Sequence, residues 1–350
     1  MITISENDII QTMKTNKERT TIHDVARAAG VSISTVSRVI SKRGDIQMKP
    51  ETRDRVLQAI ELLSYKPSRS AQSLRRQESH LVAVLLPDIS NPFFSLLARG
   101  TEAAVFSRGL STLICDSDLS IEKENRHLDN LLAEDVFGVV FVPVGQPDED
   151  RIETLSRHGI QVVIADRRMN GVPCVEAENA KGSQILAEYL SSLGYKRIAY
   201  LSGPSDTLTA CDRRSGFITG TRHAGISPVK IEIGEFTYES GRKMAREILG
   251  NNKVDAIVAG NDLMAFGVLE AAQEFGLSVP RDLGVAGFDS IPWARILCPK
   301  LTTVEVPARE IGEKAGIAVL DKERRNVLLP VTLIPGETCR AVRGGGIGKQ

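Results

Sequence analysis

Two rhythms of apolar residues divide the chain near residue 79. Upstream, small clusters recur every three or four positions between polar turns, the period of short amphipathic helices. Downstream, tight runs of Val, Ile and Leu alternate with longer stretches at helical spacing, the pattern of parallel strands joined by covering helices. At 350 residues the chain suits two or three domains of ordinary size.

The upstream part opens TTIHDVARAAGVSISTVSRVI. Thr21 is placed to cap a first helix, and Asp24 three residues on completes a capping box. Val25, Ala26 and Ala29 make its apolar side, and Gly30 permits a sharp turn. Ser32 caps a second helix that turns Val36, Val39 and Ile40 inward and leaves Ile33, Ser34, Thr35, Ser37 and Arg38 outside. Hydroxyls and one arginine on the first turns of an exposed helix suit insertion in a DNA major groove. Two helices joined by a glycine turn also occur as plain scaffold, so the following residues matter. A third helix is predicted from Pro50 to Leu63, packed through Val56, Ala59, Ile60 and Leu63. Lys49 occupies its capping position and cannot accept the amide bonds there. The preceding SKRGDIQMK brings Lys42 and Arg43 near any bound phosphate. Tyr65 to Arg76 is basic, nearly free of large apolar side chains and marginal as an isolated helix.

In the downstream part, strands are predicted at LVAVLL, LSTLIC, FGVVFV and QVVIAD, then again at RIAYLS, VKIEIG, DAIVAG and GVAGF. The fold class is therefore α/β: an all-α head and a body of two similar lobes, each a doubly wound parallel sheet. Ligands of open parallel sheets bind beyond the carboxyl ends of the strands. Those positions carry Asp88, Asn91, Phe93, Phe94, Asp116, Asp118, Asp166 and Arg167 in the first half. The second half contributes Arg213, Phe236, Asn261, Asp262 and Asp289. Carboxylates, carboxamides, guanidinium groups and flat rings together fit a polyhydroxylated ligand. Asn91, Asp116 and Asp262 serve equally well as helix caps, and one of the two phenylalanines has a place in the core. Asp166-Arg167 is harder to treat as structural, because both charges need partners if buried.

Charge sharpens this division. The chain is neutral overall, yet residues 20–78 hold 11 Lys/Arg against 6 Asp/Glu, so the head is basic and the rest acidic. Such a head attracts phosphate at one end of the molecule. Five scattered cysteines show neither metal spacing nor a paired framework, which points to reduced thiols and a cytoplasmic protein. No run of 18 apolar residues occurs, and residues 1–19 lack a secretory pattern and read as an N-terminal extension. The five histidines have no ligand spacing and no glycine-bracketed serine occurs, so the residues call for no cofactor and no catalytic group.

The string DVARAAGVSISTVSRVI…PETRDRVLQAIELLSYKPSRSAQSLRR resembles the lactose/galactose repressor family of bacterial transcription regulators, and the resemblance continues to about Cys339. It implies a helix-turn-helix domain at 20–66, a hinge helix at 67–78, an effector-binding and dimerisation domain at 79–340 and a frayed tail at 341–350. It also implies that the lobes exchange strands, with crossings near Glu178, Val304 and Arg324. The first lobe would then hold residues 79–178 and 305–323, the second 179–304 and 324–340.

By the same resemblance the protein is a homodimer on a near-palindromic operator and not an enzyme. Ile33, Ser34 and Arg38 would address base edges, while Ser32, Thr35 and Ser37 grip phosphates. Ser70, Ala71, Leu74 and Arg75 would belong to the hinge helix, with Leu74 wedged between base pairs. NPFFSLLARG, VIADRR, CDRRSGF, GNDLMAFG and GFDSIP resemble the segments lining the family's sugar cleft. The set Asn91, Phe93, Phe94, Asp166, Arg167, Arg213, Phe236, Asn261 and Asp289 is similar to that of ribose-binding members and implies a pentose effector, ribose first. Val306-Pro307 replaces a usual Gln-Pro, and Glu178-Asn179 a usual Asp-Asn. A hexose, a sugar acid or a nucleoside therefore stays open as effector. A sugar-modifying enzyme fused to a DNA-binding head is the rival of another class.

Overall fold

Pro50 begins a helix because its fixed φ suits the first turn, and Gly30 ends another because it takes the left-handed φ of 61° that a capping residue needs. The computed structural model describes residues 20–40, 48–65, 79–134, 136–251 and 253–342, in two units that divide after Glu78. The first unit holds α1 (Ile22–Ala29), α2 (Ile33–Ile40) and α3 (Pro50–Leu62). Val25, Ala26, Ala29, Val36, Val56 and Ala59 form its buried centre, with Val39, Ile40 and Leu63 packed at the margin. The Asp24 carboxylate accepts from the Thr21 amide at 2.9 Å and the Thr21 hydroxyl at 2.7 Å, closing the start of α1. Ser32 Oγ accepts from the Thr35 amide at 3.2 Å and so caps α2. Lys49 gives α3 no side-chain cap.

The second unit contains two parallel sheets. In chain order, its first lobe starts with β1 (Leu81–Leu86), α4 (Pro92–Ser107), β2 (Ser111–Asp116), α5 (Ile121–Ala133) and β3 (Gly138–Phe141). It continues with α6 (Glu149–Arg157), β4 (Gln161–Ala165) and β5 (Cys174–Ala177). The second lobe starts with α7 (Asn179–Ser192), β6 (Ile198–Ser202), α8 (Leu208–His223), β7 (Lys230–Ile233) and α9 (Tyr238–Asn251). β8 (Ala256–Ala259), α10 (Asp262–Glu274), β9 (Gly284–Ala286), α11 (Pro292–Ile296) and β10 (Thr303–Glu305) complete it. The chain ends with α12 (Ala308–Leu320), β11 (Val327–Leu329) and β12 (Thr332–Ile334). The sheet orders are β11-β5-β4-β3-β1-β2 and β7-β6-β8-β9, with β10 and β12 as an antiparallel pair.

β1 shows why its sequence is apolar throughout. Val82, Val84 and Leu86 pack with Leu97 and Val105 of α4 and Ile311 and Val319 of α12. Ala83 and Leu85 face the opposite way, toward Leu128 and Leu131 of α5 and Ile152 and Leu155 of α6. Both sheet faces are covered, so neither alternation nor a polar face survives.

The connections differ from expectation at one end. β11 pairs in parallel with β5, so residues 327–329 belong to the first sheet rather than to the second lobe. The final crossing therefore falls near Pro330, not Arg324. Three-residue strands carry little periodicity, and the short β5, which also escaped prediction, provides the edge that β11 joins.

Candidate effector site and DNA-reading helix

A cavity of about 250 Å³ lies where the carboxyl ends of both sheets face each other. All nine residues selected from the sequence line it: Asn91, Phe93, Phe94, Asp166, Arg167, Arg213, Phe236, Asn261 and Asp289. Its size falls below the ~300–1,000 Å³ of drug-sized ligand pockets, which suits a single sugar ring.

From the first lobe, Asn91 caps α4 by accepting from the Phe93 amide at 3.0 Å, so capping and lining are one role here. Phe93 and Phe94 meet edge to face with centroids 5.3 Å apart. Asp166 leaves β4 with φ of 62°, a left-handed conformation that costs a non-glycine residue roughly 1–3 kcal/mol and clusters at functional sites. That turn directs Asp166 and Arg167 into the cleft. Asp289 after β9 is similarly held at φ of 104°.

The second lobe supplies the rigid wall. Phe236 lies over Gly203, where a Cβ would fall 2.3 Å from the ring, so only glycine admits the ring there. Asn261 caps α10 through the Met264 amide at 2.9 Å and donates to the Phe236 carbonyl at 3.1 Å. Arg213 of α8 is bound on three sides, donating to Asn179 Oδ1 and the Gly260 carbonyl at 2.8 Å each and pairing with Asp289 at 2.8 Å. Its guanidinium also lies 4.0 Å over the Phe288 ring.

Two groups are left open. Asp166 Oδ1 and the Nε and Nη1 of Arg167 are buried with no hydrogen-bond partner among the described residues. Buried polar atoms without partners are rare and call for a bound polar molecule. Burial pushes the Asp166 carboxyl up to about 7 against the opposing pull of Arg213 and Arg167, and Asp289 up to about 6 against that of Arg213. Desolvation likewise lowers Arg167. A neutral ligand with neighbouring hydroxyls meets these needs, donating to the carboxyl and accepting from the guanidinium.

Asp116 and Asp262 do not line the cavity. Asp116 accepts from the Ile89 amide at 3.2 Å, and Asp262 accepts from the Ile291 amide at 2.8 Å and the Thr303 hydroxyl at 2.6 Å. Sequence reasoning missed Leu119, Val144, Asp206, Thr207, Thr209 and Glu235, which also line the cavity. All but Thr209, which lies in the first turn of α8, sit on loops with no periodic signal. Val306 is buried and lines a neighbouring cleft with Phe93 and Asp289, so no amide reaches the sugar-facing side there.

In the head, α2 exposes Ser32, Ile33, Ser34 and Arg38 and half-exposes Thr35 and Ser37. Lys42, Arg43 and the hinge positions Ser70, Ala71, Leu74 and Arg75 lie outside the described residues. Among the described residues no group of three His, Cys, Asp or Glu side chains could hold a metal ion, and no helix is long and apolar enough to cross a membrane.

A helical head with an exposed, hydroxyl-rich reading helix, joined to a two-lobed ligand-binding body, defines a ligand-controlled DNA-binding regulator. The family description "Bacterial regulatory proteins, lacI family" matches residues 21–68, and "Periplasmic binding protein-like domain" matches 187–339. The ribose operon repressor of Halalkalibacterium halodurans is 35% identical over 329 residues, covering 92% of this chain and 97% of that protein. The structure of the lac repressor dimer bound to operator and the anti-inducer ONPF superposes with a TM-score of 0.82 at 26% identity, covering 93% of this chain and all of that one. A LacI family transcriptional regulator from Enterococcus faecium with bound ribose gives 0.68 at 27% identity, over 75% of this chain and 100% of that chain. The chain belongs to the lacI family of bacterial regulatory proteins. It is a DNA-binding transcriptional repressor with an effector domain of the sugar-binding kind, and not an enzyme.

Proposed function

We propose that the effector is a pentose, ribose first, held by Asn91, Phe93, Phe94, Asp166, Arg167, Arg213, Phe236, Asn261 and Asp289. The open Asp166 and Arg167 groups inside a cavity of single-ring size carry this reading. The ribose operon repressor relative and the ribose-bound neighbour support it. Phe93, Phe94 and Phe236 take the apolar faces of the ring, while the paired charges take its hydroxyls.

On DNA, two copies act together, each presenting α2 to half of a near-palindromic operator. Ile33, Ser34 and Arg38 read bases, and Ser32, Thr35 and Ser37 hold phosphates. Edge strand β2 exposes Leu113 and Ile114, and α4 exposes Phe106, which gives the body apolar surface for pairing. Contacts of Ser70, Ala71, Leu74 and Arg75 with operator DNA belong to the same reading, and sugar binding shifts the lobes and releases the operator.

The test is a titration of the whole protein with pentoses, hexoses, sugar acids and nucleosides, read by calorimetry and by operator binding in a gel. Ribose should bind and loosen the operator complex. Saturable binding of a hexose, acid or nucleoside with no response to any pentose refutes the assignment.

A further inference from the structure

We infer that Arg168 is a positioning residue for the effector site: with Asp212 and Glu176 it forms a charged latch that draws the two lobes together before any ligand arrives. This rests on the proposed effector site only for its consequence on sugar affinity. Arg168 follows the site residue Arg167 at the end of β4, in the first lobe. Its two terminal nitrogens bind Asp212 of α8, in the second lobe, at 2.6 and 3.0 Å, a paired fork on one carboxylate. The same guanidinium reaches Glu176 of β5, in its own lobe, at 3.0 Å. None of the three lines the cavity, so their contact does not depend on what fills it.

Among the described residues two further hydrogen bonds bridge the lobes across the cleft, and both join neutral groups. The Thr209 hydroxyl donates to the Asp166 carbonyl at 3.1 Å, and Gln146 Nε2 donates to the Asp206 carbonyl at 3.2 Å. Neutral hydrogen bonds of this kind act only at contact distance. Arg168 and Asp212 attract over a Debye length of about 8 Å at physiological salt, so they act on a cleft that is still open. Glu176 aims the guanidinium across the gap, and Asp212 sits one residue before Arg213, which carries Asp289. Formation of the fork therefore sets α8, and with it the buried charges of the sugar site, at closing register against Asp166 and Arg167.

The experiment uses the full chain with spin labels at Asp150→Cys in the first lobe and Glu239→Cys in the second, in a Cys211→Ser, Cys298→Ser background. Without ligand, Arg168→Ala should shift the inter-lobe distances to longer values. Arg168→Glu should shift them further, and Arg168→Glu with Asp212→Arg should restore the parent distribution, since an arginine at 212 can bridge both carboxylates. In parallel, D-ribose affinity should fall roughly three- to tenfold in Arg168→Ala, mainly through faster release. Added NaCl should weaken ribose binding in the parent more than in the variant. Identical ligand-free distance distributions in parent and Arg168→Ala, or a reversed pair no better than Arg168→Glu alone, would overturn the latch. Should ribose fail to bind the parent, the effector reading falls while the ligand-free distances still decide the latch.

Discussion

Arg213 and Asp289 meet 2.8 Å apart in the second lobe with only 3% and 6% of their side chains exposed. The pair joins the second turn of α8 to the turn after β9, beside the bonds that Arg213 makes to Asn179 and the Gly260 carbonyl. A buried pair of this kind is weak evidence for stability while intact, but costly when one partner is removed. Arg213→Met should therefore lower the stability of the body by about 3–5 kcal/mol near neutral pH. The loss should shrink at pH 5.5, where Asp289 takes a proton and needs no partner. Thermal unfolding at both pH values checks this, and an equal loss at each would count against the pair as the cause.

Arg167 makes the opposite case. Its Nε and Nη1 have no hydrogen-bond partner among the described residues, so Arg167→Ala removes no such bond from those atoms. Stability should stay level or rise, while sugar affinity falls by about 1.5–3 kcal/mol for each charged hydrogen bond lost. Operator binding should be unchanged. A variant that unfolds would show that Arg167 is structural.

Proton uptake gives a third check. Asp166 and Asp289 have native values of about 7 and about 6, raised from the ordinary 3.8 by burial. Raised carboxyls mean that the native state holds more protons than the unfolded chain between roughly pH 4 and 7. Their contribution to stability is complete below roughly pH 4 and is lost as pH rises through 6 and 7. Hydroxyl donors favour the ionised form, so sugar binding should strengthen by roughly tenfold from pH 5.5 to 7.5 and release protons. Calorimetry in buffers of different ionisation heat measures that release. Proton uptake on binding would exclude these carboxyls as ligand contacts.

The site was legible in the sequence because its residues stand at strand ends, where a parallel sheet leaves few alternatives. Asp166 follows the apolar run of β4, and Asp289 follows β9 within GFDSIP, so the position alone identifies them. The capping box of α1 and the caps of α2 and α4 were readable for the same reason: a local hydrogen bond needs only local sequence. What stayed hidden was non-local. The β11 and β5 pairing joins segments some 150 residues apart, through three-residue and four-residue strands that show no period of their own. Asp262 and Asp289 look alike in sequence, yet one is consumed by Ile291 and Thr303 and the other faces the cavity. The Arg168 contact to Asp212 depends on the distance between lobes, which no spacing in the chain encodes.

Gly203 offers a steric test of the aromatic wall. A methyl group there would sit 2.3 Å from the Phe236 ring, far inside any real contact. The ring rather than the backbone should yield, because Asn261 holds the Phe236 carbonyl at 3.1 Å. Gly203→Ala should thus fold, bind operator normally and bind sugar roughly tenfold more weakly, as an apolar contact is displaced. Unaltered sugar affinity would remove Phe236 from the site.

Arg38 separates base reading from phosphate attraction in the head. It is exposed in the last turn of α2, beyond the hydroxyl-rich first turns. A bidentate guanine contact contributes about 1–3 kcal/mol of discrimination at one base pair, whereas a phosphate contact weakens all sequences alike. Arg38→Ala should therefore cost operator binding about that amount and flatten preference at a single symmetric position. The salt dependence of binding should barely change, because counterion release follows phosphate contacts. If the slope instead drops by about one while the preferred sequence is kept, Arg38 holds the backbone, and base reading passes to Ile33 and Ser34 on the preceding turn.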